Sequence, residues 1–596
     1  MDNASRYNQY SLQAENPLFF AIVHKTSSLA GLRKRLIEVA LQLETDAIQE
    51  VGSGNANLQA RIRDCAKALQ NILKKRSDHK AGFSVVKALR DIAANVTRND
   101  LTPAFFAELH HILQGIQGLG PIRALDDIHL SSIDHLQGRT AAAARSAQLD
   151  DLRLEVDRRI AHFPFGLAPE TIQRRQVNRQ RIMAFFNGSE REWNKWRWHI
   201  KHIVKDVSIL SRLIDMDEEQ VQAIKKARRN KLPFGITPYY LSLMDKTPGS
   251  RDAAIRAQVL PTMDYVEQVL ATSDTSALDF MGEEDTSPFD LITRRYPAIV
   301  ILKPFNSCPQ ICIYCQRNWE IDDAMASGAY AGKVKVNEAL DWIRAHPAIH
   351  EVLVTGGDPL SMGNATIDHV LSQLADIPSM ERIRIGTRTL VTMPMRITAR
   401  LAKLLGKYRQ PGRLEVAVTT HVQHPYEITP DVVHAVNLIR RQGISVYNQM
   451  VYTFYVSKRF EASALRRYLR LIGIDPYYTF NTKGKDETNS YRVPIARLLQ
   501  EQMEEARLLP GLERTDEAVF NVPRQGKNYL KSKGHRDLLS ILPDGARIYE
   551  FHPWERSISQ STRTYIYHDI PILDYLDRLR GAGEDMADYE TIWFYY

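Results

Sequence analysis

Cysteine is nearly absent, with four in 596 residues. So few cannot staple a chain of this size, and their scarcity fits a reducing compartment; we expect a cytoplasmic protein. Long apolar runs are missing too. Stretches such as Ala298-Ile-Val-Ile-Leu302 are of strand length, well short of the roughly 20 residues that cross a bilayer. The opening residues, MDNASRYNQYSLQ, lack a basic segment followed by an apolar core, so no secretory leader is expected. Nor is there a large excess of either charge. The net charge is +8, with 25% charged and 44% hydrophobic residues, ordinary values for a globular chain. Basic residues scatter, apart from short runs such as Lys225-Lys-Ala-Arg228-Arg229. Such runs are more often solvated helix faces than polyanion sites. Neither a membrane nor nucleic acid is expected as a partner.

Three of the four cysteines fall within eight residues: Cys308-Pro-Gln-Ile-Cys312-Ile-Tyr-Cys315. Structural zinc takes four ligands, and the local sequence offers no fourth. A 4Fe–4S cluster also takes four thiolates as a rule. Three would leave one iron open to a small molecule. This C-x3-C-x2-C spacing resembles that of the radical S-adenosylmethionine (SAM) enzymes, whose open iron binds the amino and carboxylate groups of SAM. The alternatives are a zinc knuckle or three buried thiols. Cys65 lies in an apolar-patterned helical stretch and reads as a core or surface residue.

The chain changes texture along its length. Residues 1–188 read as a helical N-terminal module without a chemical motif, and 189–297 as a helical lead-in. Beyond Pro297, strand-like runs begin near Ala298, Glu351, Arg382, Glu415, Ser445 and Asp475. After the first pair they recur about every 30 residues, the length of a βα unit. Between them lie helical faces such as Val432, Val436 and Ile439, or Ile367, Val370 and Leu374. The reading is α/β: a (β/α)6 partial barrel over 298–557, preceded by the helical region and followed by an extension over 558–596. In barrels of this kind the chemistry gathers where strands end. The cysteine loop follows the first strand, and Thr355-Gly356-Gly357-Asp358-Pro359 follows the second. Glycines there allow close backbone approach.

Further motifs sharpen the resemblance. Arg384-Ile-Gly-Thr-Arg388, Thr420-His421-Val-Gln-His424-Pro425, Asn448-Gln449 and the upstream Ile236-Thr-Pro-Tyr-Tyr-Leu-Ser-Leu-Met244 together resemble the lysine 2,3-aminomutase family, over roughly residues 190–557. That family uses a 4Fe–4S cluster, SAM and pyridoxal 5′-phosphate (PLP) to move an amino group from C2 to C3 of an amino acid. The resemblance implies that Cys308, Cys312 and Cys315 hold the cluster. Gly356, Gly357, Asp358, His421 and Gln449 would meet SAM, and Arg295 and Arg388 the PLP phosphate. Arg317 would take the substrate α-carboxylate, for which a bidentate guanidinium pair is suited. Lys527, in Asn521-Val-Pro-Arg-Gln-Gly-Lys527, matches the PLP lysine, with Lys531 and Lys533 as fallbacks. The segment is one residue shorter than the family pattern and has lost most of its glycines. Members that bind zinc use extra cysteines near the C-terminus. None follows Cys315 here, so no zinc is expected.

Two positions set the expected substrate. Lysine-specific members hold the distal ammonium with two aspartates, where this chain has Lys483 and Asn521. The change resembles glutamate 2,3-aminomutases and implies a side-chain carboxylate, first of all L-glutamate. A small-molecule amino acid, a low-potential electron donor and a homo-oligomeric assembly are the expected partners. The rival readings are a mutase for lysine or another amino acid, a radical SAM enzyme acting on RNA or protein, and a regulator that has lost PLP.

Overall fold

The computed structural model describes residues 6–49, 56–121, 133, 135–272, 278–482, 486–532, 534–552 and 563–596. Its main sheet begins with β1 (Ile292–Thr293) and β2 (Ile299–Phe305). It runs on through β3 (Glu351–Gly356), β4 (Arg382–Gly386), β5 (Glu415–Thr420), β6 (Ser445–Tyr452) and β7 (Asp475–Asn481). Every strand expected from the sequence is therefore present, and β2 to β7 pair in parallel and in chain order. Burial on both faces explains their composition. Val416, Ala417, Val418, Thr419 and Thr420 of β5 are all buried, as expected for a parallel strand under helices.

The intervening helices bury the faces read from the sequence. In Pro430–Arg440, Val432, Ala435, Val436 and Ile439 point inward, and Thr429 caps the N-terminus by accepting from the Val432 amide at 3.2 Å. Pro430 follows at the first helical position, where its missing N–H costs nothing. In Asn364–Ala375 the inward face is Ile367, Val370, Leu371 and Leu374.

Two extensions were not expected. The lead-in is helical from Glu190–Trp193 to Met263–Ala271, but it ends in β1, which pairs antiparallel with β2. At the other edge, β8 (Glu517–Val522) joins β7 in parallel and β9 (Gly526–Tyr529) returns antiparallel to β8. The stretch that resembles the family's PLP-lysine loop is thus a tight hairpin. Arg524 turns it with φ of +58°.

The N-terminal helices, from Gln9–Glu15 to Pro169–Phe185, share a core with the end of the chain. The helices Ala56–Ile72 and Lys75–Ala81 pack on a second, antiparallel sheet of β10 (Arg536–Ile541), β11 (Arg547–Phe551) and β12 (Tyr565–His568), while Gly138–Ala161 packs on the barrel helix Glu461–Leu471. After β12 the chain turns helical, and Ile572–Gly581 and Met586–Phe594 pack on the N-terminal helix Pro103–Ile116. A buried ion pair, Glu108 with Arg547 at 3.0 Å, joins the two parts, and Arg547 also donates to the carbonyls of Trp593 and Tyr595, each at 2.6 Å. His111 stacks on Trp593 with ring centres 4.5 Å apart. Cys65 is buried in this core, where burial pushes its thiol up to about 12, so it is not a reactive group. None of the described residues of this region lines the cavity at the strand ends.

Candidate active site

Residues at the ends of β2 through β8 line one cavity of about 260 Å³. A flat sheet would not bring seven strand ends to one space, so the sheet curls around it. The cysteine loop enters from β2 and is fastened by the lead-in. Ile311 donates to the Gly235 carbonyl and Ile313 to the Gln258 carbonyl, each at 3.0 Å. Cys308, Cys312 and Cys315 all face the cavity. Burial pushes the thiols of Cys308 and Cys312 upward; the Asp358 charge adds to this at Cys308, while Arg388 opposes it at Cys312. Such thiols ionise only beside strong positive charge, which a bound metal supplies. Three thiols facing one cavity fit a cluster in which each thiolate takes a different iron and one iron stays open.

The glycines after β3 are required by the fold itself. A Cβ at Gly357 would lie 2.1 Å from the Ser307 carbonyl oxygen, and Gly356 has φ of +109°. The chain that approaches so closely is the start of the cysteine loop, so the expected role in admitting a ligand is joined by one in seating that loop. Asp358 is buried and its carboxylate is occupied. It accepts from Thr387 Oγ1 at 2.6 Å and from the amides of Arg388 at 2.8 Å, Thr389 at 2.9 Å and Leu360 at 3.1 Å. Asp358 thereby pins the loop after β4, and its side chain is not free to hold a ligand.

Arg388, on that loop, lies against the cysteines. Its Nη1 is 2.7 Å from Cys312 Sγ, and its Nη2 pairs with Glu427 at 2.8 Å, while Nε donates to the His421 carbonyl at 3.2 Å. Gln258 and Tyr240 complete its surroundings. Arg295 bonds instead to the Met281 carbonyl at 2.7 Å and does not line the cavity. Of the two arginines expected at the phosphate, Arg388 lines the cavity and pairs with Glu427.

His421 and Gln449 are brought together as expected. His421 Nδ1 donates to the Gln449 carbonyl at 2.8 Å. Burial, helped by the charge of Arg388, lowers the His421 imidazole to about 4. It is neutral at ordinary pH, and the bond at Nδ1 leaves Nε2 as an acceptor facing the cavity.

At the far wall, Asn521 of β8 stands directly opposite Lys527 of β9. Opposed residues of an antiparallel pair share a face, so the amide and the amine project together. Asn521 Oδ1 is buried without a protein partner among the described residues, an unspent acceptor at the cavity wall. The Lys527 amine lies over the Tyr478 ring at 4.7 Å and the Tyr296 ring at 5.5 Å. Lys531 is exposed, whereas Lys533 and Lys483 lie outside the described residues.

Arg317 lines the cavity two residues beyond Cys315, and it is engaged by a carboxylate of the chain itself. Its Nε is 3.0 Å from Glu283 Oε2 and its Nη2 is 2.7 Å from Glu283 Oε1. Sequence reasoning missed Glu283, because Gly282-Glu-Glu-Asp285 reads as a solvated acidic run. It also missed Gln258 and Glu427. Tyr240 lies in the Ile236–Met244 motif, and its hydroxyl donates to Glu427 at 2.7 Å, which explains why a motif so distant in sequence belongs to this site.

Comparison with known proteins agrees with this geometry. Residues 302–462 match the radical SAM superfamily. An uncharacterized KamA family protein of Methanocaldococcus jannaschii is 41% identical over 96% of this chain and 95% of its own length. The glutamate 2,3-aminomutase of Clostridioides difficile is 34% identical, covering 60% of this chain and 82% of the relative. The L-lysine 2,3-aminomutase of Fusobacterium nucleatum is 31% identical, covering 52% and 70%. Membership implies a 4Fe–4S cluster and SAM, which the three cysteines and the cavity fit. The chain belongs to the KamA, or lysine 2,3-aminomutase, family of radical SAM proteins.

Proposed function

We propose that this protein is a PLP-dependent 2,3-aminomutase that converts L-glutamate to β-glutamate. The observation that carries the reading is the β8–β9 register, which sets Lys527 opposite Asn521, whose unsatisfied amide lines the cavity that the three cysteines face. The cluster and SAM would supply a radical, and PLP the imine through which nitrogen can migrate.

The chain's own residues bind and orient. Cys308, Cys312 and Cys315 would hold the cluster. The Gly356–Gly357 backbone, His421 Nε2 and Gln449 would face SAM, with Asp358 holding the adjacent loop. Lys527 would carry PLP, packed on Tyr478 and Tyr296, and Arg295 and Arg388 would meet its phosphate. Arg317 would take the substrate α-carboxylate. Relatives bear both the glutamate and the lysine activity in their names, so the choice rests on Lys483 and Asn521. Lys483 follows the end of β7 by two residues. Its positive charge repels a distal ammonium and pairs with a distal carboxylate, beside which Asn521 can donate from its amide nitrogen.

A hydrogen bond to a charged group contributes about 1.5–3 kcal/mol, so glutamate should exceed lysine in kcat/KM by roughly ten- to a hundredfold. Aspartate, one methylene shorter, should turn over poorly. The test is turnover of L-glutamate, L-aspartate, L-lysine and L-arginine with SAM, PLP and dithionite under anaerobic conditions. Preference for lysine or arginine refutes the assignment. Glutamate turnover unchanged in a Lys483→Asp, Asn521→Asp double variant would show that these residues do not select.

A further inference from the structure

Arg317 can offer a carboxylate two bidentate edges, Nε with Nη2 or Nη1 with Nη2. Glu283 occupies the first, at 3.0 and 2.7 Å. The Glu283 side chain is 5% exposed and that of Arg317 17%, so both are fixed in packed surroundings. Glu283 is itself held from behind. Lys303 of β2 approaches it at 3.4 Å and also pairs with Glu320 at 3.1 Å. The Arg295 charge bears on it as well. Burial works against the charged form of Glu283, but Arg317, Lys303 and Arg295 outweigh it and hold the carboxyl below its ordinary range. The backbone is fixed too, since the Glu283 amide donates to Asp279 Oδ1 at 2.8 Å. Among the described residues Glu283 is the side chain that pairs with Arg317, which lines the cavity.

Arg317, Lys303 and Arg295 all bear on Glu283, and Lys303 pairs with Glu320 as well, so positive groups gather on this side of the cavity. A guanidinium on a flexible stem loses several rotors on binding, and a partner that fixes it beforehand removes part of that cost.

We infer that Glu283 is the positioning residue of the substrate clamp: it holds Arg317 by the Nε–Nη2 edge and presents the opposite edge to the α-carboxylate of the amino acid. This rests on the amino acid reading of the cavity given above. Glu283 touches no substrate in this account and acts through Arg317 alone.

The test is equilibrium binding of L-glutamate to cluster-loaded, PLP-loaded enzyme with SAM, measured by anaerobic calorimetry. Glu283→Gln, which keeps the shape and removes the charge, should weaken binding roughly ten- to thirtyfold, the loss expected when a charged pairing is removed. Iron content and SAM affinity should stay as in the wild type. 4-Aminobutyrate, which lacks the α-carboxylate, should bind wild type and variant alike. In an Arg317→Lys background the same change should alter glutamate binding less than about twofold, because the coupling partner is gone. Wild-type affinity in Glu283→Gln overturns the inference, and so does a loss that is the same in the Arg317→Lys background or for 4-aminobutyrate. A fall in iron content would show that Glu283 supports the cysteine loop and would overturn it as well. Wild-type enzyme that binds no amino acid would overturn the functional reading itself, a result distinct from all of these.

Discussion

Replacing Cys308, Cys312 and Cys315 together by alanine should remove the iron and abolish turnover. The three thiols line the cavity, whereas Cys65 is walled off in the N-terminal core. Wild-type protein, reconstituted anaerobically, should carry about four irons and a low-temperature EPR signal on reduction that shifts when SAM is added. The triple variant should show neither. Cys65→Ala should keep both, because its thiol is protonated and buried. A triple variant that retained the iron and the signal would place the metal elsewhere and end the account.

Lys527→Ala should be equally severe for the second cofactor. Borohydride treatment of wild-type protein should fix PLP on the peptide containing Lys527. The variant should take up no such label and lose activity by at least about 10³-fold, in line with removal of a group that acts directly in covalent chemistry. Lys531→Ala should behave as wild type, because Lys531 is exposed. Label on Lys531 or Lys533 would move the assignment along the chain. No label on any lysine would favour a protein without PLP. Folding is a modest concern for Lys527→Ala, since the β9 backbone keeps its ladder to β8, and iron content serves as the check.

The barrel was legible because its strands are short apolar runs at a regular interval, and their order along the chain is their order in the sheet. The cysteine loop was legible because thiols are otherwise so rare. β1 is two residues long and gives no period to read. The β8–β9 hairpin was hidden by Pro523 and Arg524, which suggest a loop, and only the pairing shows that Asn521 and Lys527 oppose each other. Arg388 was legible only in part. A motif gives a residue's identity but not the neighbour that captures its charge, here Glu427 some 39 positions on. Glu283 was invisible for the same reason: an acidic run near a loop carries no mark of the arginine it meets 34 positions later. Contacts across still longer separations, such as Glu108 with Arg547, tie the N-terminal helices to the chain's end and leave no trace in local pattern.

The most direct test of the central claim is the fate of nitrogen in L-glutamate labelled with nitrogen-15 at the amine and carbon-13 at C3. The reduced enzyme, with SAM and PLP, should yield a product in which C3 shows a new one-bond coupling to nitrogen, because the amine has moved onto that carbon. A C3 resonance that never acquires this coupling, while SAM is still consumed, would contradict the account and turn attention to a different radical reaction in the same cavity.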